Sequence, residues 1–178
     1  MKTPFVRTNR RILIIDDTPS IHEDFRKIQG APVDDEQALA GTEEALFGTL
    51  PLDRLTFQLD SAYQGQEALH RVQCALDEGR PYAMAFIDMR MPPGWDGLAT
   101  IESLCKADPH LQIALCTAYA DYTWEDMAER LEFGDQLLVL KKPFDSLEIR
   151  QMASAMTWKW QMTQDAAMKV LSLEQTIE

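Results

Sequence analysis

Arg11-Ile12-Leu13-Ile14-Ile15-Asp16-Asp17 is the stretch on which the fold turns. Four apolar residues in a row, without polar alternation, suit a strand buried on both faces, as in the middle of a parallel sheet. The run stops at two adjacent carboxylates. The same pattern recurs downstream: Tyr82 to Ile87 is apolar and ends in Asp88, Leu111 to Cys116 ends at Thr117, and Leu137 to Leu140 runs into Lys141-Lys142-Pro143. Leu55-Thr56-Phe57-Gln58-Leu59 alternates instead, which predicts a half-exposed edge strand.

Helical signals fill the gaps. Ser20 and Glu23 have capping-box spacing, and Ile21, Phe25 and Ile28 give the first helix an apolar face before Gly30. Gln66 to Asp77 reads as a helix through Leu69, Val72 and Leu76, closed by Gly79. Leu98, Ile101, Leu104 and Cys105 form another stripe, stopped near Pro109. Thr123 with Asp126 starts a further helix, with Trp124, Met127, Ala128 and Leu131 inward and Gly134 after its end. Strands alternating with helices predict an α/β fold, a doubly wound parallel sheet with helices on both faces. Ligands of such sheets bind outside the carboxyl ends of the strands. With right-handed crossovers and strand order 2-1-3-4-5, Asp16, Asp17, Asp88, Thr117 and Lys142 would surround one crevice.

Composition narrows the function classes. The 178 residues suffice for one compact domain and an appendage. A net charge of −12 argues against a nucleic-acid backbone as partner, because that affinity comes from basic residues. No apolar run approaches the roughly 18 residues of a membrane span, so no membrane insertion is expected. The basic lead Met1 to Arg10 lacks the apolar core of a secretory signal. Cys74, Cys105 and Cys116 are far apart and not in metal-ligand spacing, which reads as reduced core thiols. The expected location is cytoplasmic.

Three carboxylates in one crevice repel one another, and at least one would have its pKa raised. A hard divalent cation removes the conflict, and a few carboxylates plus water suit Mg²⁺. A lysine and a hydroxyl opposite complete a pocket for a small anionic group such as phosphoryl. With its charge offset, an aspartate can itself attack phosphorus and form an acyl phosphate.

Ile15-Asp16-Asp17, Asp88-Met89-Arg90-Met91-Pro92, Thr117-Ala118 and Lys142-Pro143-Phe144 together resemble the receiver domains of two-component response regulators. The resemblance runs from about Arg11 to Met156. It implies a flavodoxin-like (βα)5 fold with the same strand order and Asp88 as phosphoacceptor. It further implies Mg²⁺ held by Asp17, Asp88 and the backbone carbonyl of Arg90, with Asp16 acting directly or through water. Thr117 and Lys142 would bind the phosphoryl group and carry the switch, and the bond to Pro143 would be cis. Arg90 and Tyr119 flank the crevice and would tune the phosphoryl lifetime. A histidine kinase or phosphotransfer protein is the implied donor, docking near the first helix. The chain would be a phosphoacceptor switch, not an enzyme beyond making and hydrolysing its own phospho-aspartate.

This sequence departs from the family pattern in two places. Three residues before the lysine, where receivers usually carry Tyr or Phe, stands Val139, so the output is expected through the C-terminal helix. The interval between Asp17 and Asp88 is longer than in a minimal receiver by about the acidic stretch 31–54, an insertion after the first helix with a local helix expected at Thr42 to Phe47. Such loops are usually functional or disordered. The expected organisation is a lead at 1–10, a receiver at 11–156 and a helical extension at 157–178.

Asp145 to Glu178 contains neither proline nor glycine and would extend about 51 Å as one helix, at about 1.5 Å per residue. Ile149, Met152, Met156, Lys159, Thr163, Ala166, Val170, Leu173 and Ile177 follow a 3-4 spacing, a heptad seam with Lys159 and Thr163 as polar exceptions. A parallel coiled-coil homodimer, or a signalling helix feeding a further domain, is expected; folding back on the same domain is the alternative. Trp158 and Trp160 straddle the exit point. Gly94-Trp95-Asp96-Gly97 and Leu137 to Asp145 look like receivers at the N-terminus of larger bacterial sensors, which continue into a histidine kinase or a cyclic-dinucleotide enzyme. An output domain beyond this chain is therefore an expected partner.

Three rival readings remain. A phosphatase of the haloacid-dehalogenase type needs a second acid two residues after the nucleophile, but Thr18 and Arg90 stand there. His22-Glu23-Asp24 resembles a kinase phosphoacceptor box without its proline, so His22 is expected to face solvent, as are His70 and His110. A degenerate receiver, never phosphorylated and acting as an interaction or dimerisation module, keeps the fold and loses the chemistry.

Overall fold

The computed structural model describes residues 8–27, 56–118 and 135–174. Five parallel strands, β1 (Arg11–Ile15), β2 (Gln58–Ala62), β3 (Met84–Asp88), β4 (Gln112–Thr117) and β5 (Leu137–Lys141), form one sheet in the order β2-β1-β3-β4-β5. Among the described residues the helices are α1 (Pro19–Arg26), α2 (Gly65–Asp77), α3 (Gly97–Ala107) and α4 (Ser146–Glu174). This is the doubly wound parallel sheet expected from the apolar runs, in the flavodoxin-like order that the resemblance implies. The expected helix after Thr123, the 31–54 insertion with its helix at Thr42 to Phe47, and Tyr119 and Ile177 lie outside the described residues.

Strand alternation divides the core between the two faces. Leu13, Ile15, Ala85, Ile87, Ile113 and Leu115 face one layer, packing with Ala68 and Val72 of α2 and Leu98, Ile101 and Leu104 of α3. Ile12, Ile14, Met84, Phe86, Ala114 and Cys116 face the other, against Phe25 of α1 and Ile149, Ala153 and Met156 of α4. Both faces are covered, so β1, β3 and β4 read as continuous apolar runs.

The edge strand lies three residues later than the alternation of Leu55 to Leu59 suggests. Its centre is polar, and its polar groups find distant partners. Arg11 Nη2 and Tyr82 Oη donate to Asp60 Oδ2 at 3.0 and 2.8 Å, and Ser61 reaches α1. The capping box expected at Ser20 is not formed either. α1 starts two residues earlier, on Pro19, with Thr18 at the N-cap and no side-chain cap, because proline already fits the first helical position. Asp96 does cap α3, accepting from Ala99 N at 2.8 Å. Gly79 closes α2 with φ +66°, and Gly79 N to Leu76 O (3.0 Å) and Arg80 N to Ala75 O (2.8 Å) complete a Schellman motif.

The C-terminal helix α4 spans 29 residues, about 43 Å. Its buried face is Ile149, Ala153, Met156, Thr157, Trp160 and Gln161, wider than the seam read from the sequence because it packs on a sheet. Two seam positions are therefore reassigned. Met156 lies in the core, and Lys159 is tied to the start of β5, with Nζ 2.9 Å from Asp135 Oδ2 and donating also to the Asp135 carbonyl. Gln161 Oε1 accepts from Asn9 N at 3.0 Å, fastening the helix where it leaves the domain. Beyond that point Thr163, Ala166, Val170 and Leu173 are all exposed. Of the two tryptophans, Trp160 is buried while Trp158 is 57 % exposed. No described helix is long and apolar enough to cross a membrane.

Candidate functional site: an acidic crevice at the strand ends

The parallel strands deliver their polar ends to one place. Asp16 follows β1, Asp88 ends β3, Thr117 ends β4 and Lys142 follows β5. Carboxylate oxygens of Asp16, Asp17 and Asp88 lie within 4.8 Å of one another. Lys142 Nζ donates to Asp88 Oδ1 at 2.7 Å and to Asp16 Oδ2 at 3.1 Å. The backbone repeats the connection, with Lys142 N donating to Thr117 O at 2.8 Å. The Lys142–Pro143 peptide is cis, as is Pro92–Pro93.

Each acid is held by its own loop. Asp16 is buried; its N–H donates to Ala62 O (3.2 Å) and its Oδ1 accepts from Thr18 N (2.8 Å). Thr18 Oγ1 donates to Asp17 Oδ1 at 3.3 Å. Asp88 Oδ2 accepts from Arg90 N at 3.2 Å. The loop after Asp88 is clamped to α3, since Gly97 N donates to Met89 O at 2.8 Å. A Cβ at Gly97 would stand 2.7 Å from Asp88 O and 2.8 Å from Met89 Cα, so only glycine lets the helix approach so closely. Thr117 is half-buried, with Oγ1 donating to Ala118 O at 2.9 Å.

Electrostatics follow from burial and pairing. Burial pushes the Asp88 carboxyl above the usual carboxylate range; the Lys142 hydrogen bond and charge pull it back, and the Asp16 charge adds to the push. For Lys142 burial pulls downward, but the hydrogen bond to Asp88 and the Asp16 charge outweigh it and leave the ammonium above its ordinary value. Cys116, beneath the crevice, has its thiol pushed to about 12 by burial, so it is an inert core residue. Three anionic oxygens this close, with one ammonium against them, fit a hard divalent cation: Mg²⁺ takes carboxylate and water oxygens at about 2.0–2.1 Å.

His22 corrects the sequence reading. It is 2 % exposed, not solvent-facing, and both ring nitrogens are engaged: Nε2 lies 2.7 Å from Asp16 O and Nδ1 2.9 Å from Ser61 Oγ. A ring with no free nitrogen is no phosphoacceptor. Phe25 marks the buried face of α1, and His22 precedes it by one helical turn; that spacing is the signal that places it inside. His70 and His110 are exposed, as expected.

A sequence profile of the response regulator receiver domain matches residues 31–154. The chain belongs to this family. The match begins after β1, so it is the sheet order and the site geometry that join Asp16 and Asp17 to the receiver pattern. No curated protein matches the chain in sequence. Solved structures share the fold. A response regulator receiver domain protein from Methanospirillum hungatei has 18 % identity and a TM-score of 0.60, covering 86 % of this chain and 98 % of its own. The signal receiver domain of an HD domain-containing protein from Pseudomonas fluorescens has 14 % identity and a TM-score of 0.62, with coverage of 93 % and 98 %. A structure described as adenylate cyclase from Rhodopirellula baltica has 20 % identity and a TM-score of 0.62, with coverage of 91 % and 97 %. At these identities the likeness carries the fold alone.

Proposed function

We propose that this receiver is a phosphorylation switch in which Asp88 accepts a phosphoryl group from a histidine kinase or phosphotransfer protein. The observation that carries the reading is the bridge from Lys142 to Asp88 and Asp16 beside Asp17, a nucleophile, a cation site and an anion-binding ammonium within one crevice. In the transfer, an Asp88 carboxylate oxygen attacks phosphorus, the bond from phosphorus to the donor imidazole nitrogen breaks, and that nitrogen keeps the electron pair. Asp17, Asp88 and the Arg90 carbonyl, with Asp16 directly or through water, would hold Mg²⁺, which would supply charge to offset that on the phosphoryl oxygens.

The remaining groups act around that step. Asp88 leaves its hydrogen bond with Lys142, and the ammonium turns to the new phosphoryl oxygens. Thr117 exchanges its bond to the Ala118 carbonyl for one to the same group. This draws the end of β4 toward Asp88, and β5 follows through the bond from Lys142 N to Thr117 O. Arg90 and Tyr119 govern access of water and so the phosphoryl lifetime.

The domain reading is a lead at 1–10, the receiver at 11–156 with its 31–54 insertion, and a signalling helix at 157–178. Thr163, Ala166, Val170 and Leu173, exposed and without a core to cover, support a homodimer through that helix or a link to an output domain. A cytoplasmic location agrees with this partnership. Acetyl phosphate with and without Mg²⁺, followed by intact mass, tests the reading. Wild type gains one phosphoryl group only with Mg²⁺, and Asp88→Asn gains none. A folded wild type that gains none makes the chain a degenerate receiver, an interaction module.

A further inference from the structure

The acidic pair stands where β1 ends, and its geometry depends on a peptide that the sheet does not hold from both sides. Asp16 N is tied to Ala62 O of β2, but the Asp16 carbonyl lies beyond the last paired residue of β1. A buried carbonyl without a partner is costly, and rotation of the Asp16–Asp17 peptide would re-aim both carboxylates. His22 supplies the partner. Because a carbonyl only accepts, Nε2 carries the hydrogen, and the 2.7 Å bond runs from His22 to Asp16 O.

The other ring nitrogen is held as well, since Nδ1 lies 2.9 Å from Ser61 Oγ. In the Nε2–H tautomer that the carbonyl requires, Nδ1 accepts from the Ser61 hydroxyl. Tyr63 packs on the ring with centroids 4.5 Å apart, completing an enclosure in which His22 is 2 % exposed. A serine of β2, a histidine of α1 and the carbonyl between two acids thus form one chain of hydrogen bonds. It ends on the backbone of the cation site and touches no reacting atom.

We propose that His22, its ring braced by Ser61, is a positioning residue that holds the Asp16–Asp17 peptide in the orientation the cation site requires. The proposal rests on the phosphoacceptor reading for its consequence. Outer groups that orient metal ligands are worth roughly 10- to 100-fold in affinity when removed. An effect at the lower end is expected here, since His22 acts through backbone.

The test uses the full chain and Mg²⁺ alone as ligand. A long-range ¹⁵N imidazole spectrum of wild type should show His22 as the neutral Nε2–H tautomer. Mg²⁺ titrations should then show a Kd roughly tenfold higher for His22→Phe, which keeps the buried ring and loses both bonds. His22→Gln, whose side-chain N–H can reach the same carbonyl, should recover most of the loss, a rescue that a space-filling role would not produce. Ser61→Ala should show a smaller loss in the same direction, and it carries the comparison if His22→Phe does not fold. An Nδ1–H tautomer, a Kd unchanged in the folded variants, or His22→Gln no better than His22→Phe overturns the proposal. A wild type that binds no Mg²⁺ overturns the phosphoacceptor reading and the proposal together, whereas normal wild-type binding with unmoved variants overturns the proposal alone.

Discussion

Lys142 Nζ lies 2.7 Å from Asp88 Oδ1, joining the end of β5 to the end of β3 across β4. The same ammonium reaches Asp16 at 3.1 Å, so one cation offsets two carboxylates that would otherwise repel. Lys142→Met should therefore destabilise the Mg²⁺-free protein by about 1–3 kcal/mol. That is below the 3–5 of a fully buried pair, because the lysine side chain is 25 % exposed. Urea unfolding with and without Mg²⁺ checks this, and added Mg²⁺ should stabilise the variant more than wild type.

Gly97 is predicted to be irreplaceable. Its missing side chain would meet backbone of Asp88 and Met89, which cannot rotate away. Gly97→Ala should cost about 1–3 kcal/mol by overpacking. It should also slow phosphoryl uptake by displacing the Asp88 loop, measured as the rate of mass gain from acetyl phosphate. An alanine variant with wild-type stability would mean that α3 does not press on this loop.

A pH dependence follows from the edge of the sheet. Burial and the hydrogen bond to Asp60 raise the Tyr82 phenol to about 12 from 10.0. Between those values the unfolded chain gives up a proton that the folded chain keeps, so stability falls as pH rises through that window. Tyr82→Phe should reduce this alkaline slope, to which the buried Cys105 and Cys116 thiols also contribute, and cost about 1 kcal/mol at neutral pH, modest because Asp60 is partly exposed.

Asp60 shifts the other way. Burial alone would raise it, but the bonds from Tyr82 and Arg11 outweigh burial and lower it. Its contribution is therefore present above the ordinary aspartate pKa and lost as pH falls through the depressed folded value. Asp60→Asn should flatten that part of the acid limb of a stability–pH curve.

The helix beyond Gln161 should behave as an interaction surface and not as part of the core. Val170→Glu with Leu173→Glu should leave Tm within about 2 °C, as surface changes do. It should also shift sedimentation from dimer toward monomer. An unchanged sedimentation profile would remove the homodimer from the account and leave the link to an output domain.

Much of this was legible in the sequence because buried parallel strands announce themselves as apolar runs, as β1, β3 and β4 do, and the edge strand β5 is apolar as well. Their polar last residues then coincide with the site. What escaped depends on partners far apart in sequence. β2 lies later than its alternation suggests because Asp60 and Ser61 look like loop residues until Arg11, Tyr82 and His22 are brought to them by the fold. His22 is expected outside by comparison with a kinase phosphoacceptor box, while the structure buries it with Phe25 on the inner face of α1. The heptad spacing of α4 begins too near the domain. Met156 and Lys159 are held by the sheet and by Asp135, and among the described residues Thr163, Ala166, Val170 and Leu173 are exposed.

The most direct measurement is reductive trapping of the acyl phosphate after incubation with acetyl phosphate and Mg²⁺, followed by peptide mapping. The account predicts that the reduced residue is Asp88 and that neither Asp16 nor Asp17 is modified. A label on another carboxylate, or none on a folded protein that binds Mg²⁺, would contradict it.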